Sequence, residues 1–372
     1  MVKGGSLDSR STEPRLTLKV RVLISCGEPS GRLFAHLLQR ELGCQEPACR
    51  FAYTSVASLE STFGFWEGAR SVLELPRRLR ESIGRLAAFE ADVAVLVAFP
   101  GFNLPFGLRC RRTGVPVVYL APPQVWAWGR WRVGALRRAA DTVVCLFPFE
   151  QPMLSEAGVP AVFTGYPLLD AVAAPGDRAE VLARLGLTES DRYVAFLPGS
   201  RPGETRFHCP LFAGVAGELE RRFPGTRGVM LPYREAGASL TGSETAWRYS
   251  VIAHAECAVV VSGTATLETA LLGVPQIVSY HLSPTTRLLA RRLVRTRWFS
   301  LPNILLREDA VPEVLEPTVE SLISRLESLL GDPDRRTRAR RDAARLRGML
   351  GPPGVLGRVA RIVREAAHGG AG

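Results

Sequence analysis

Residues 16–42 read LTLKVRVLIS, then CGEPSG, then RLFAHLLQREL. The first run has the apolar, β-branched character of a strand. The second is a tight loop, and the third spaces its apolar residues as an amphipathic helix does. A strand, a glycine loop and a helix in that order open a parallel α/β sheet. The glycines let the backbone turn sharply and approach a ligand, and the free N–H groups of the helix beginning there favour an anion.

The unit recurs. Short apolar runs at 93–98, 115–120, 142–147 and 161–163 alternate with helical stretches near 79–89, 104–112, 133–139 and 150–157. Gly165-Tyr166-Pro167 and Ala174-Pro175-Gly176 then punctuate the chain. Beyond them the alternation restarts, with strands expected at 193–197, 228–231, 258–261 and 276–279. Residues 318–366 are helical and arginine-rich, broken by Pro352-Pro353-Gly354. The expected fold is α/β, with two doubly wound parallel-sheet, Rossmann-like domains and a cleft between them. Ligands in such sheets lie beyond the carboxyl ends of the strands. The expected divisions are a polar tail at 1–17, a first domain at 18–166, a second at 167–350, and a last helix at 351–372 packing back on the first.

With 372 residues, the chain is long enough for two domains. Its 46% apolar content supports buried cores and excludes a disordered polymer. No apolar run is long enough for a spanning helix, and the first 17 residues lack the apolar core of a secretion signal. The net charge is +11, and every basic residue except Lys3 and Lys19 is arginine. That balance suits a polyanion, an anionic membrane or a phosphorylated substrate. The arginines are spread over many helices without a nucleic-acid-binding module, so nucleic acid ranks last among these partners. Seven scattered cysteines with no CxxC pair read as reduced, buried thiols of a cytosolic protein. No HExxH or paired-CxxC pattern is present, and no metal or other cofactor is expected.

Several loops carry candidate chemistry. Gly27-Glu28-Pro29-Ser30-Gly31 follows the first strand, placing the Glu28 carboxylate at a strand's carboxyl end. The plain alternative is a turn with a helix-capping acid. Pro198-Gly199-Ser200-Arg201 repeats the design in the second domain, where Arg201 is placed to face a phosphate. Ser262-Gly263-Thr264-Ala265-Thr266-Leu267-Glu268 follows a Val-rich run and opens a helix. Its hydroxyls and free N–H groups make a diphosphate cradle, with Glu268 one turn on for ribose hydroxyls. A capped helix is the plain alternative. Gln124-Val125-Trp126-Ala127-Trp128 follows Pro122-Pro123 as a rigid aromatic platform, against the alternative of core packing. Asp332-Pro333-Asp334 looks like a metal-holding DxD but reads as helix capping.

Together these blocks resemble lipid-A-disaccharide synthase, a family with the two-domain GT-B glycosyltransferase fold. Gly27–Gly31, Pro123–Trp128, Pro148-Phe149-Glu150, Gly165–Asp170, Leu197–Arg201, Ser262–Glu268, Ser300-Leu301-Pro302-Asn303-Ile304-Leu305 and Val311-Pro312-Glu313 stand in the family's order. The resemblance spans about residues 19–365. It implies an inverting transfer of diacylglucosamine from UDP-2,3-diacylglucosamine to 2,3-diacylglucosamine 1-phosphate, giving lipid A disaccharide and UDP. It also implies work at the cytoplasmic face of the inner membrane, and it admits a homodimer. Phe63, Phe65 and Trp66, followed by Arg77, Arg78 and Arg80, form a candidate interfacial segment. The nucleotide-sugar residues carried over are Gly199, Ser200, Arg201, Ser262, Gly263, Thr264, Ala265, Thr266, Glu268 and Asn303. Ser30, Asn103, Gln124 and Trp126 fall on the acceptor side of the cleft.

The chain departs from the family on that side. The family's Asp-x-Pro-Asp-Phe-Asn, whose last Asp is its favoured base, reads Ala98-Phe99-Pro100-Gly101-Phe102-Asn103 here. Arg32, Pro122 and Tyr166 replace a usual Asp, Ser and His, and Arg307 is the nearest match to a displaced arginine. Glu28 and Glu150 are therefore the candidate catalytic residues. Asp92 begins its strand, roughly 20 Å from the site. The alternatives are a non-catalytic nucleotide-sugar or lipid binder and an enzyme like UDP-N-acetylglucosamine 2-epimerase.

Overall fold

A computed structural model describes residues 20–27, 29–55, 65–127, 129–172, 175–231, 242–281 and 297–369. The Val-rich runs form strands because both of their faces are covered. In β1 (Arg21–Cys26), Val22 and Ile24 face one core, which holds Phe34 and Leu38, while Leu23 faces the other, which holds Phe102 and Phe106. A strand buried on both faces is apolar throughout instead of alternating. β2 (Arg50–Ser55), β3 (Val93–Val97), β4 (Val117–Leu120), β5 (Thr142–Cys145) and β6 (Ala161–Phe163) complete the first sheet. All its pairs are parallel, in the order β2-β1-β3-β4-β5-β6.

The second sheet contains β7 (Arg192–Leu197), β8 (Thr226–Met230), β9 (Cys257–Val261), β10 (Gln276–Tyr280) and β11 (Glu313–Leu315). It is also parallel, in the order β11-β10-β9-β7-β8. Two parallel sheets give the α/β class expected. The edge strands β2 and β11 have no counterpart in the sequence reading. The first ends in polar residues (RFAYTS) and the second is only three residues long, so neither presents a continuous apolar run.

Between the sheets the chain crosses twice, and the crossings are tied together. Asp170 accepts from the N–H groups of Gly354 (2.6 Å) and Leu356 (2.8 Å). Arg358 donates to the Thr164 carbonyl at 2.9 Å, and the Tyr166 N–H donates to Leu350 at 3.0 Å. Gly165 has φ 106° there, and a Cβ on it would lie 2.8 Å from Val355, so this crossing requires glycine. The helix Val355–Gly369 packs on the helix Pro29–Gln45 and behind β3 and β4. All seven cysteines are free. Four are buried, but Cys44 is exposed, contrary to the expectation of burial for all.

Candidate functional site

Loops at the carboxyl ends of the second sheet hold most of the expected nucleotide residues. After β7, Gly199 has φ 97°, and a Cβ on it would sit 2.6 Å from the Glu204 carboxylate. Glycine is required because Glu204 folds back under the loop. Its carboxylate accepts from the N–H groups of Ser200 (3.2 Å) and Arg201 (3.3 Å) and from Arg201 Nη1 (3.0 Å). Arg201 is thereby held at the start of the helix Pro202–Arg222 with about a third of its side chain open to solvent.

After β9, Gly263 has φ 148° and opens the helix Thr264–Leu271 with no side-chain cap. First-turn N–H groups left uncapped in this way favour an anion. The hydroxyl part of the expected cradle needs correction. Ser262 Oγ donates to Phe299 O at 2.6 Å, and Thr266 Oγ1 donates to Gly263 O at 2.8 Å, so both hydroxyls turn into the protein. Thr264 alone of the three keeps a half-buried hydroxyl with no partner among the described residues. Glu268 is 6% exposed and pairs with Arg248 Nη1 at 2.6 Å, a partner that sequence reading missed.

Asn303 is buried, and its amide is fully engaged. Nδ2 donates to Val311 O (2.9 Å) and to Glu313 (3.0 Å), while Oδ1 accepts from the Val311 N–H (2.8 Å). Glu313 also accepts from the Ser300 N–H at 2.8 Å. Asn303 therefore holds the loop together, and its side chain is not presented to a ligand.

In the first domain, Asn103 has a similar fate instead of facing a cleft. It is fully buried, accepts from Ser25 Oγ at 2.6 Å and donates to Ala98 O at 2.8 Å. The Tyr119 hydroxyl donates to the same carbonyl at 2.7 Å. These bonds pin a turn in which Ala98 and Phe99 both have left-handed φ (52° and 47°). Gly101 follows, exposed, in the first turn of the helix Pro100–Arg112. Phe99 lies across Gly27, where a Cβ would come 2.7 Å from its ring. Glu28 lies outside the described residues, as does Trp128. Ser30 is half-buried in the first turn of the Pro29–Gln45 helix, and Gln124 is exposed.

Glu150 is 2% exposed. It accepts from the Trp126 indole N–H (2.9 Å) and from the N–H groups of Leu146 (2.9 Å) and Phe147 (3.0 Å). Burial pushes its carboxyl up to about 7, against those three donors. A base must reach the hydroxyl it deprotonates, and from this position Glu150 reaches Trp126 instead. Trp126 packs edge-on to Phe147 and Phe149, and Phe147 stacks on Tyr166. The platform expected around Trp126 is thus an aromatic cluster tied down by a carboxyl. Burial raises the Tyr166 hydroxyl, with the charges of Glu268 and Glu150 adding to the effect. Among the described residues no group of three or more His, Cys, Asp or Glu is placed to hold a metal. Asp332 accepts from the Asp334 N–H at 3.0 Å and pairs with Arg338.

A family model described as Lipid-A-disaccharide synthetase matches residues 22–345. The lipid-A-disaccharide synthase of Syntrophus aciditrophicus is 34% identical over 373 residues, covering 91% of this chain and 96% of that protein. The chain belongs to the lipid-A-disaccharide synthase family. The Pseudomonas fluorescens member is 33% identical over 348 residues, covering 86% of this chain and 92% of that one. Solved structures place this family member in the GT-B fold. A UDP-GlcNAc 2-epimerase from Neisseria meningitidis bound to UDP-GlcNAc aligns with TM-score 0.60 at 12% identity, over 93% of this chain and all of that one. The spinosyn rhamnosyltransferase SpnG complexed with thymidine diphosphate aligns with TM-score 0.56 at 14% identity, over 92% and 99%. At such identities the likeness is one of fold, so the epimerase reading gains only the architecture.

Proposed function

We propose that the chain is a glycosyltransferase of lipid A biosynthesis. It transfers diacylglucosamine from UDP-2,3-diacylglucosamine to 2,3-diacylglucosamine 1-phosphate and releases UDP. The match to the family over residues 22–345 carries this reading. The diphosphate sits on the uncapped first turn of Thr264–Leu271, with Arg201 opposite, while Glu268, buried against Arg248, braces that helix from behind. Arg201 and the helix N–H groups stabilise the negative charge that grows on departing UDP, so the reading uses no metal. The acceptor's 6-hydroxyl oxygen bonds to the anomeric carbon from the face opposite UDP. Its proton passes to a base as the bond to the diphosphate breaks, which gives the β linkage. Glu28 is assigned as that base, since Gly27 and Pro29 on either side of it stand at the carboxyl end of β1.

Both substrates carry acyl chains, so the enzyme is proposed to work peripherally on the cytoplasmic face of the inner membrane. Trp131, 67% exposed between Arg130 and Arg132, supports that placement. Among the described residues no helix is long and apolar enough to cross a membrane. Of the interfacial segment expected from sequence, Phe63 lies outside the described residues. Arg77 and Arg78 pair with Glu81 and Glu74 on their own helix, as on a solvated face.

The test is UDP release from UDP-2,3-diacylglucosamine in detergent micelles, with and without the acceptor. Acceptor-dependent release is expected, and Glu28→Gln should lower it about 10²- to 10⁴-fold. Donor binding without release would replace the transferase reading with a binding protein, the reading that Gly101 favours. Epimerisation of soluble UDP-N-acetylglucosamine would replace it with the epimerase.

A further inference from the structure

A second concave site lies away from the catalytic cleft, at the amino-terminal end of the second sheet's central strand. Glu256 lines it, immediately before β9, whereas Ser262 follows β9. The six residue steps from Glu256 to Ser262 put the two ends about 20 Å apart. The cavity measures about 680 Å³, and its walls carry Arg178, Arg336, Arg340 and Arg347 against one carboxylate, Glu256.

That carboxylate is already engaged, by Arg335 at 2.9 Å and Arg336 at 3.8 Å. Three of the four arginines are anchored by backbone carbonyls. Arg336 donates to Ala255 O (2.6 Å), Arg347 to Leu271 O (2.9 Å) and Arg178 to Asp191 O (3.3 Å). A carbonyl fixes a guanidinium's direction without neutralising its charge. Arg340 has no hydrogen-bond or ionic partner among the described residues. Arg336 shares Glu256 with Arg335, whereas Arg178, Arg340 and Arg347 have no carboxylate partner among the described residues, and guanidinium groups gathered on one cavity wall match the oxygens of a phosphate, which they grip bidentately. The field in a concave site of one sign concentrates counter-ions.

We propose that this cavity binds a phosphate-bearing anion of two or more negative charges. The ligand would bridge the connection between the domains, through Val172, Pro175 and Arg178, to the helix Arg335–Leu350. The shared chemistry admits a soluble diphosphate or a phospholipid headgroup. The proposal does not depend on the transferase reading, because its readout is binding.

The experiment titrates the full-length chain with inorganic pyrophosphate in a calorimeter, beside co-sedimentation with phosphatidylglycerol vesicles. Arg340→Gln combined with Arg347→Gln should weaken pyrophosphate binding about tenfold or more. Arg340→Lys should retain most of it, and Arg201→Gln, in the catalytic cleft, should leave this component unchanged. Vesicle binding that falls in parallel and is competed by pyrophosphate identifies the headgroup as the source. Vesicle binding that stays constant while pyrophosphate binding falls identifies a soluble phosphate. Equal affinity of wild type and double variant for both probes overturns the site. Should the double variant lose its circular-dichroism spectrum, Arg340→Gln alone decides, since that exposed side chain has no hydrogen-bond or ionic partner among the described residues.

Discussion

The two sets of loops that face each other across the cleft are held by different materials. In the second domain, carboxylates do the holding. Glu204 gathers Ser200 and Arg201, Glu313 gathers Ser300 and Asn303, and Glu268 pairs with Arg248. In the first domain, aromatic rings, the buried Asn103 amide and a buried carboxyl do it. Phe99 lies across Gly27, while Trp126, Phe147 and Tyr166 pack together over Glu150. Charged scaffolding fixes the positions of guanidinium and N–H groups, as an anion site would need. Aromatic scaffolding gives shape with few fixed charges, which suits a surface that receives acylated sugars.

The contrast breaks first at Glu313. Glu313→Ala removes the acceptor for the Ser300 N–H and for Asn303, leaving buried donors unpaired. A loss of about 4 kcal/mol in urea unfolding is expected, with Glu313→Gln recovering part of it. A loss under 1 kcal/mol would mean that carboxylates do not hold the second-domain loops.

The corresponding first-domain carboxyl predicts a pH dependence. Burial raises Glu150 from its ordinary 4.5 to about 7. Between those values the folded chain keeps a proton that the unfolded chain has lost. Stability therefore falls as pH rises from about 5 to about 8, by about 3 kcal/mol. Glu150→Gln cannot titrate and should remove that slope, as followed by thermal unfolding across the window. A slope that persists in the variant would assign it to other groups.

Much of this was legible in the sequence. Runs such as VAVLV in β3 are apolar throughout because both faces are covered, and that pattern alone indicates parallel sheets with helices on each side. The polar loop residues were legible as a set, but not in their directions. Asn103 and Asn303 look like ligand contacts because both fall in blocks that resemble the family's motifs. Their partners Ser25 and Glu313 lie 78 and 10 residues away, so nothing local shows that the amides turn inward. Ser262 and Thr266 were misread for the same reason, since a hydroxyl that caps a turn and one that holds a phosphate have the same spelling. Arg248 left no signal, because it lies within a helix 20 residues before the Glu268 it neutralises. The Glu150–Trp126 bond spans 24 residues and joins two motifs that sequence reading kept apart.

The smallest stability effect falls at the position where the two loop sets differ most in chemistry. A Cβ on Gly101 would meet nothing within 4 Å, and the residue is exposed in the first turn of its helix. Gly101→Asp therefore fits without displacing a neighbour. A carboxylate in a helix's first turn gains about 0.3 to 1 kcal/mol from the helix dipole, and replacing glycine reduces the freedom of the unfolded chain. Stability should rise by about 1 kcal/mol or less. The informative readout is acceptor-dependent UDP release. If the first-domain loops are complete as they stand, with Glu28 as base, a second carboxylate leaves the rate within a few-fold. If the aromatic side of the cleft lacks its base, Gly101→Asp raises turnover by an order of magnitude or more while the affinity for UDP, proposed to bind at the carboxylate-held loops opposite, stays the same.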